Sequence, residues 1–261
     1  MPSPVVRVRP RGFRLPAEPF TVKTADGIAL AGSRIGTADS AVVICHGFGG
    51  WHAKPRYARF AEALAARFTV YAFDLRGHGA SGGWTTFGVA EVADVGAVVG
   101  AARQGGHGLV GTIGASMGGV AVIRHAALEG GVDAVVAVST PARWDGHRSE
   151  AVRRMVWLTA TASGRRVGRL FGVRLPNEWA RSEPPEDVIG KIAPVPVLLI
   201  HGRDDHYFDE EEAWRLYRRA EEPKRLWLAS RFGHAEDGFT PDLADRIALH
   251  LYSVWGLPWP G

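Results

Sequence analysis

The sequence predicts an α/β protein built on a mostly parallel sheet, and three observations carry that prediction. Short apolar runs of strand length, rich in β-branched residues, recur along the chain, and stretches of helical length separate them. The runs are nearly continuous in apolar character instead of alternating, which is the pattern of strands covered on both faces. At 261 residues, with 46% hydrophobic and 22% charged residues, the chain can bury a full core and has the composition of a globular protein. A single domain over residues 1–261 is expected, with room for one insertion.

The elements follow in order. FTVKTADGIALAGSRIG, from Phe20, reads as two antiparallel strands turning at Asp26-Gly27 at one edge of the sheet. The later strands are AVVICHG from Ala41, FTVYAFD from Phe68, GLVGTIGAS from Gly108, DAVVAVSTP from Asp133, VPVLLIHG from Val195 and RLWLAS from Arg225. Helices are expected over 56–67, 89–103, 117–129, 210–221 and 243–255. Only the segment 141–191 interrupts the alternation. There Val152, Met155, Val156, Val167, Leu170 and Phe171 stand at near-helical spacing, and Gly164 and Gly168 are expected to split the segment into two short helices.

Charge is concentrated in the same place. The net charge is +4, yet residues 143–181 hold nine arginines against Asp145, Glu150 and Glu178, so that stretch carries +6 and the remainder −2. A local basic segment without any nucleic-acid motif points away from DNA or RNA as partner. The N-terminal residues lack an apolar run of signal-peptide length, and nothing later reaches the roughly 20 apolar residues of a membrane span. A soluble, cytoplasmic protein is expected. The one cysteine, Cys45, excludes an internal disulfide and a multi-cysteine metal site.

Ligands of a parallel sheet bind beyond the carboxyl ends of its strands, so the residues after each strand are the candidates for chemistry. Ser116 stands at such an end as Gly114-Ala115-Ser116-Met117-Gly118, with Gly119 beyond. A serine on a sharp strand-to-helix turn needs small neighbours so that the chain can pack around it, and the helix that follows directs N–H groups toward a developing oxyanion. Other strand ends supply the complement. HGFGG, from His46, offers main-chain donors; DLRGHGASGG follows from Asp74; HGRDDHY, from His201, brings carboxylates; FGHAED, from Phe232, brings a histidine.

In these motifs and their order the chain resembles the α/β-hydrolases, in particular the lysophospholipase, monoglyceride-lipase and serine-aminopeptidase-like branch, from about Phe20 to Trp255. The resemblance implies the α/β-hydrolase fold with a small helical cap at 141–191. It further implies Ser116 as nucleophile, Asp205 as the acid of H-G-x-x-D and His234 as the base, with the N–H groups of Phe48 and Met117 forming the oxyanion hole. It implies cleavage of a small-molecule carboxylic ester or thioester through an acyl-enzyme, with no metal or organic cofactor. Peptide, C–C and perhydrolase chemistry use the same triad. A non-catalytic hydrolase-like binding protein is the reading of a different class.

Each assignment has competitors. Asp204 adjoins Asp205 and is the other candidate acid. His46, His78 and His201 read as turn-shaping residues; His52 and His206 could reach the site; His107, His125, His147 and His250 read as loop or helix-surface residues. Asp74 reads as a buried turn former and Cys45 as inert packing. Trp51, Trp84, Trp144, Trp157 and Trp179 are candidates to line an apolar acyl pocket. The basic cap has three readings: a solvated face, recognition of an anionic substrate such as a phosphate-bearing ester or coenzyme A thioester, or contact with an anionic membrane surface.

Overall fold

Eight of the apolar runs become strands of one sheet in the computed structural model, which describes residues 12–146, 149–177 and 182–259. The strands are β1 (Glu18–Lys23), β2 (Ala29–Ile35), β3 (Ala41–Cys45), β4 (Thr69–Phe73), β5 (Val110–Ala115), β6 (Ala134–Val138), β7 (Val197–Gly202) and β8 (Lys224–Ala229). Their spatial order is β1-β2-β4-β3-β5-β6-β7-β8. β2 pairs antiparallel with both β1 and β4, and every other neighbouring pair is parallel. The chain winds from β3 outward to β4, then returns across β3 to β5. That reversal opens a crevice at the carboxyl ends of β3 and β5, the place where such sheets bind ligands.

The edge hairpin turns more widely than a two-residue Asp-Gly loop. Residues 24–28 form the connection: the Gly27 N–H donates to the Thr24 carbonyl and the Thr24 N–H to the Ile28 carbonyl, each at 2.9 Å. The tight turn is centred on Ala25-Asp26 instead, with the Asp26 carboxylate receiving the Arg76 guanidinium at 2.7 Å.

Helices α1 (Pro55–Leu64), α2 (Glu91–Gln104), α3 (Met117–Leu128), α7 (Glu210–Arg219) and α8 (Pro241–Val254) fall where the period places them. Alternate strand residues face opposite layers. Val43 and Cys45 join Val95, Val98, Ile123 and Leu216 of α2, α3 and α7 on one side. Val42 and Ile44 join Phe60, Leu64, Ile247 and Leu251 of α1 and α8 on the other. This two-sided burial is why the strands read as unbroken apolar runs.

Between β6 and β7 lie α4 (Glu150–Ala160), α5 (Ala162–Leu170) and a single turn, α6 (Pro185–Val188), continued as a 3-10 turn over Ile189–Ile192. The break between α4 and α5 is at Thr161, not at the glycines. Thr161 is extended (φ −98°, ψ 150°) and its hydroxyl accepts the Gly164 N–H at 2.9 Å, an N-cap that ends one helix and starts the next. Gly164 and Gly168 sit inside α5 and serve packing: a Cβ on Gly164 would strike the main chain of Trp157 and Leu158, and one on Gly168 would meet the Leu175 side chain. α6 is too short to have left a period in the sequence.

Candidate active site

Ser116 follows β5 as the N-cap of α3 at φ 52°, ψ −113°, a positive-φ conformation unfavourable for a residue with a Cβ. The surroundings impose it. Its N–H donates to the Val138 carbonyl at 2.8 Å and its carbonyl accepts from Val120 at 3.1 Å, so the chain must reverse within one residue. The neighbouring glycines make that possible. A Cβ on Gly114 would overlap the Gly118 carbonyl, one on Gly118 the Cys45 carbonyl, and one on Gly119 the Thr140 hydroxyl. The three glycines of G-x-S-x-G-G therefore let α3 sit directly on β3, β5 and β6.

Beside it, the loop after β3 is held by groups that consume its N–H donors in turn. Gly47 donates to the Tyr57 hydroxyl at 2.8 Å, Gly49 to His78 Nε2 at 3.2 Å and Gly50 to the Gly47 carbonyl at 2.9 Å. The Phe48 N–H has no partner among the described residues. Two buried imidazoles support this loop in a defined tautomer. His46 Nε2 accepts from the Leu75 N–H at 3.0 Å while Nδ1 donates to the Gly47 carbonyl at 2.8 Å. His78 Nδ1 donates to the Arg76 carbonyl at 3.0 Å and accepts at Nε2. Burial lowers both pKa values, to about 4 for His46 and about 3 for His78, so each stays neutral and able to accept.

Asp74 anchors the same region from below. Its carboxylate accepts the Ala80 N–H and the His52 N–H at 2.8 Å each and faces His52 Nδ1 at 2.8 Å. Burial opposes its ionisation, but these bonds outweigh burial and hold the carboxyl well below the usual range. His52 is thereby committed to Asp74 and does not line the cavity.

Across the sheet, Asp205 follows β7 with its carboxylate fully enclosed. Oδ2 lies 2.8 Å from His234 Nδ1, and Oδ1 accepts the Tyr207 and Phe208 N–H groups at 2.8 and 3.1 Å. Burial again opposes the charge, and the His234 hydrogen bond with the two main-chain donors overcomes it, leaving the carboxyl below its ordinary pKa. Asp204 instead is exposed and uses its N–H on the Phe232 carbonyl at 3.1 Å. His234 lies on the loop after β8, fastened by the Ala235 N–H to Ser139 Oγ at 3.0 Å.

Ser116, His234, Phe48 and Met117 line one cavity of about 860 Å³, roofed by Val152, Met155 and Trp157 of α4. Trp144 and His206 also line it. Trp51 lies under the Lys54 ammonium and Trp84 under Arg169, and neither lines the cavity; Trp179 and His147 lie outside the described residues. Three histidines expected at loops or helix surfaces are buried instead. His107 donates to the Asp39 carbonyl, His125 packs beside Glu129, and His250 meets Trp227 at an angle of 76°, each ring turned inward against a neighbouring element. Cys45 is buried, and burial pushes its thiol well above the ordinary value. Tyr207 was not singled out in the sequence, although it follows the acid by two residues.

With this geometry in place, residues 42–258 match the alpha/beta hydrolase family, and the chain belongs to it. The Bacillus subtilis protein YqkD, itself uncharacterized, is 30% identical over 227 residues, 83% of this chain and 72% of that one. Among solved structures, the Pyrococcus furiosus esterase Pf2001 superposes with a TM-score of 0.73 at 26% identity, covering 97% of this chain and 96% of that one. The esterase RhEst1 of Rhodococcus sp. ECU1013 superposes at 0.72 with 18% identity over 91% and 99%, a likeness of fold. No helix among the described residues is long and apolar enough to cross a membrane.

Proposed function

We propose that the protein is a serine hydrolase that cleaves a carboxylic ester of a small molecule through an acyl-enzyme. The observation that carries this reading is the strained Ser116, opening onto the same cavity as an imidazole whose far nitrogen is held by an enclosed carboxylate. A serine hydroxyl is a weak nucleophile at neutral pH. His234 accepts its proton as Oγ attacks the acyl carbon, then returns it to the leaving alcohol. Asp205 selects the tautomer with the proton on Nδ1 and stabilises the imidazolium. The unpartnered Phe48 N–H and the Met117 N–H at the start of α3 receive the oxyanion, contacts of a kind whose single loss costs roughly 100- to 1000-fold in rate. Water deacylates the serine by the reverse route.

The apolar roof of α4 supports 141–191 as a cap over an acyl chain, in keeping with the lysophospholipase, monoglyceride-lipase and serine-aminopeptidase-like order of motifs. The esterase relatives of similar fold support an ester over a thioester. The test is hydrolysis of p-nitrophenyl esters from acetate to palmitate, with an acyl thioester alongside, by wild type and Ser116→Ala, together with labelling by a fluorophosphonate. We expect labelling and turnover in the wild type and a fall of at least about 10⁴-fold in Ser116→Ala. A folded wild type that neither labels nor turns over any of the esters favours the non-catalytic reading.

A second reading concerns the outer side of α5. Leu170 is 86% and Phe171 72% exposed amid Arg165, Arg166 and Arg169, a basic apolar surface that suits an anionic membrane face. Flotation with phosphatidylcholine vesicles containing phosphatidylglycerol, at low and high salt, tests it: salt-sensitive binding is expected, and no binding at low salt removes it.

A further inference from the structure

The loop that supplies the acid also walls in the base. The rings of three successive residues, His206, Tyr207 and Phe208, lie around His234 at centroid separations of 6.3, 4.4 and 5.5 Å. Tyr207 is nearest and, at an interplanar angle of 37°, covers one face of the imidazole, whereas Phe208 meets it edge-on at 63°. The main chain of the same residues is not free to move. The Tyr207 and Phe208 N–H groups are fixed on Asp205 Oδ1, and the Phe208 carbonyl receives His201 Nε2 at 3.1 Å from the buried end of β7.

We propose that Tyr207 is a positioning residue for His234, a role that rests on the triad reading above. The argument is geometric. A hydrogen bond through Nδ1 alone leaves the imidazole able to swing about the N–H···O axis, and a base that swings spends less time with Nε2 toward the serine. The Tyr207 ring takes away that freedom on one face, and because its own N–H binds the second oxygen of Asp205, the main chain that carries the ring is anchored to the carboxylate that holds His234. The close, tilted contact also places the tyrosine ring against the imidazolium formed during attack, while excluding water from that side of the Nδ1–Oδ2 bond. None of these effects uses the phenol hydroxyl, for which no hydrogen bond is found among the described residues.

Tyr207→Phe and Tyr207→Leu separate the ring from its hydroxyl and from simple bulk. We expect Tyr207→Phe to keep kcat within about twofold, and Tyr207→Leu to lose about tenfold or more in kcat with KM changed less than threefold, both variants melting near the wild type. The low-field proton resonance of His234 Nδ1–H, recorded in the Ser116→Ala background so that turnover plays no part, should persist in Tyr207→Phe and broaden or vanish in Tyr207→Leu. The proposal is overturned if Tyr207→Leu keeps both kcat and the resonance. It is equally overturned if Tyr207→Phe is as impaired as Tyr207→Leu, or if the Tyr207→Leu loss falls on KM alone, which would make the ring a substrate contact. Failure of the triad reading would be distinct: Ser116→Ala would then retain activity whatever happens at Tyr207.

Discussion

The turn at Ser116 and the helix pair α4–α5 border the same cavity, yet opposite constraints build them. Around Ser116 every side but the cavity is occupied by main chain: β3 and β6 flank β5, the start of α3 follows, and glycines stand wherever a side chain would not fit. Around α4 and α5 one side is cavity and much of the other is water, and within the pair only Val152, Thr159, Gly164 and Gly168 are buried. A strained serine persists only where its surroundings over-determine it, whereas a roof over an apolar substrate needs side chains that can shift. On the proposed reading, the site thus combines a rigid floor holding the reacting atoms with a looser cover that sets what fits.

Two glycines put this contrast to its hardest test, because each has main-chain atoms where a Cβ would go. In Gly118→Ala the Cβ would overlap the Cys45 and His46 carbonyls, and neither β3 nor α3 has space to retreat. A loss of about 3 kcal/mol in stability is expected, with activity down at least about 100-fold in whatever folds. In Gly164→Ala the Cβ would meet the Trp157 and Leu158 main chain just as closely, but α5 can move outward into solvent. Here we expect less than about 1 kcal/mol, unchanged turnover of p-nitrophenyl acetate and altered preference among long acyl chains. Thermal melts and the ester series decide it. Equal destabilisation by both substitutions would mean that the cover is as fixed as the floor.

The same contrast explains what could be read from the sequence. The elbow was legible because its backbone demands particular residues: only glycine fits at 114, 118 and 119, so the motif is written in composition. The central strands β3 to β7 were legible because burial on both faces leaves unbroken apolar runs. The motif offset favours Asp205 over Asp204, and the proposed assignment draws support from the carboxylate of Asp205 facing His234 and accepting the N–H groups of the residues after it, while Asp204 is exposed. What escaped depends on contacts between distant segments. Gly164 and Gly168 look like helix breakers until α4 is packed against them. His125 and His250 look like surface residues until the elements covering them are in place. Tyr207 carries no signal of its own, because nothing in a sequence says that a ring will land on another ring 27 residues away.

A gentler perturbation than substitution is acid, and the floor holds two of the groups it acts on; His125 of α3 and His250 of α8 are likewise lowered by burial to about 4. His46 and His78 are held neutral, at about 4 and about 3, whereas in the unfolded chain each takes its proton near 6.5. Between those values the unfolded state binds protons that the folded state refuses, so the stability these residues contribute is complete above pH 6.5 and drains away as pH falls toward 4. The slope is about 1.4 kcal/mol per pH unit for each histidine, enough to lower Tm by several degrees over the first unit. Residues 149–177, which include α4 and α5, hold no histidine, so acid finds no such group there. Hydrogen exchange followed from pH 7 to pH 5 should therefore show protection falling at Leu75 and Gly49, whose N–H groups end on these two imidazoles, by a larger factor than at the α4 amides once intrinsic rates are corrected. Replacing His78 with leucine removes both the acceptor and the titration. It should lower Tm at pH 7 and flatten its decline with acid; a decline as steep as that of the wild type would place the acid sensitivity elsewhere than under the floor.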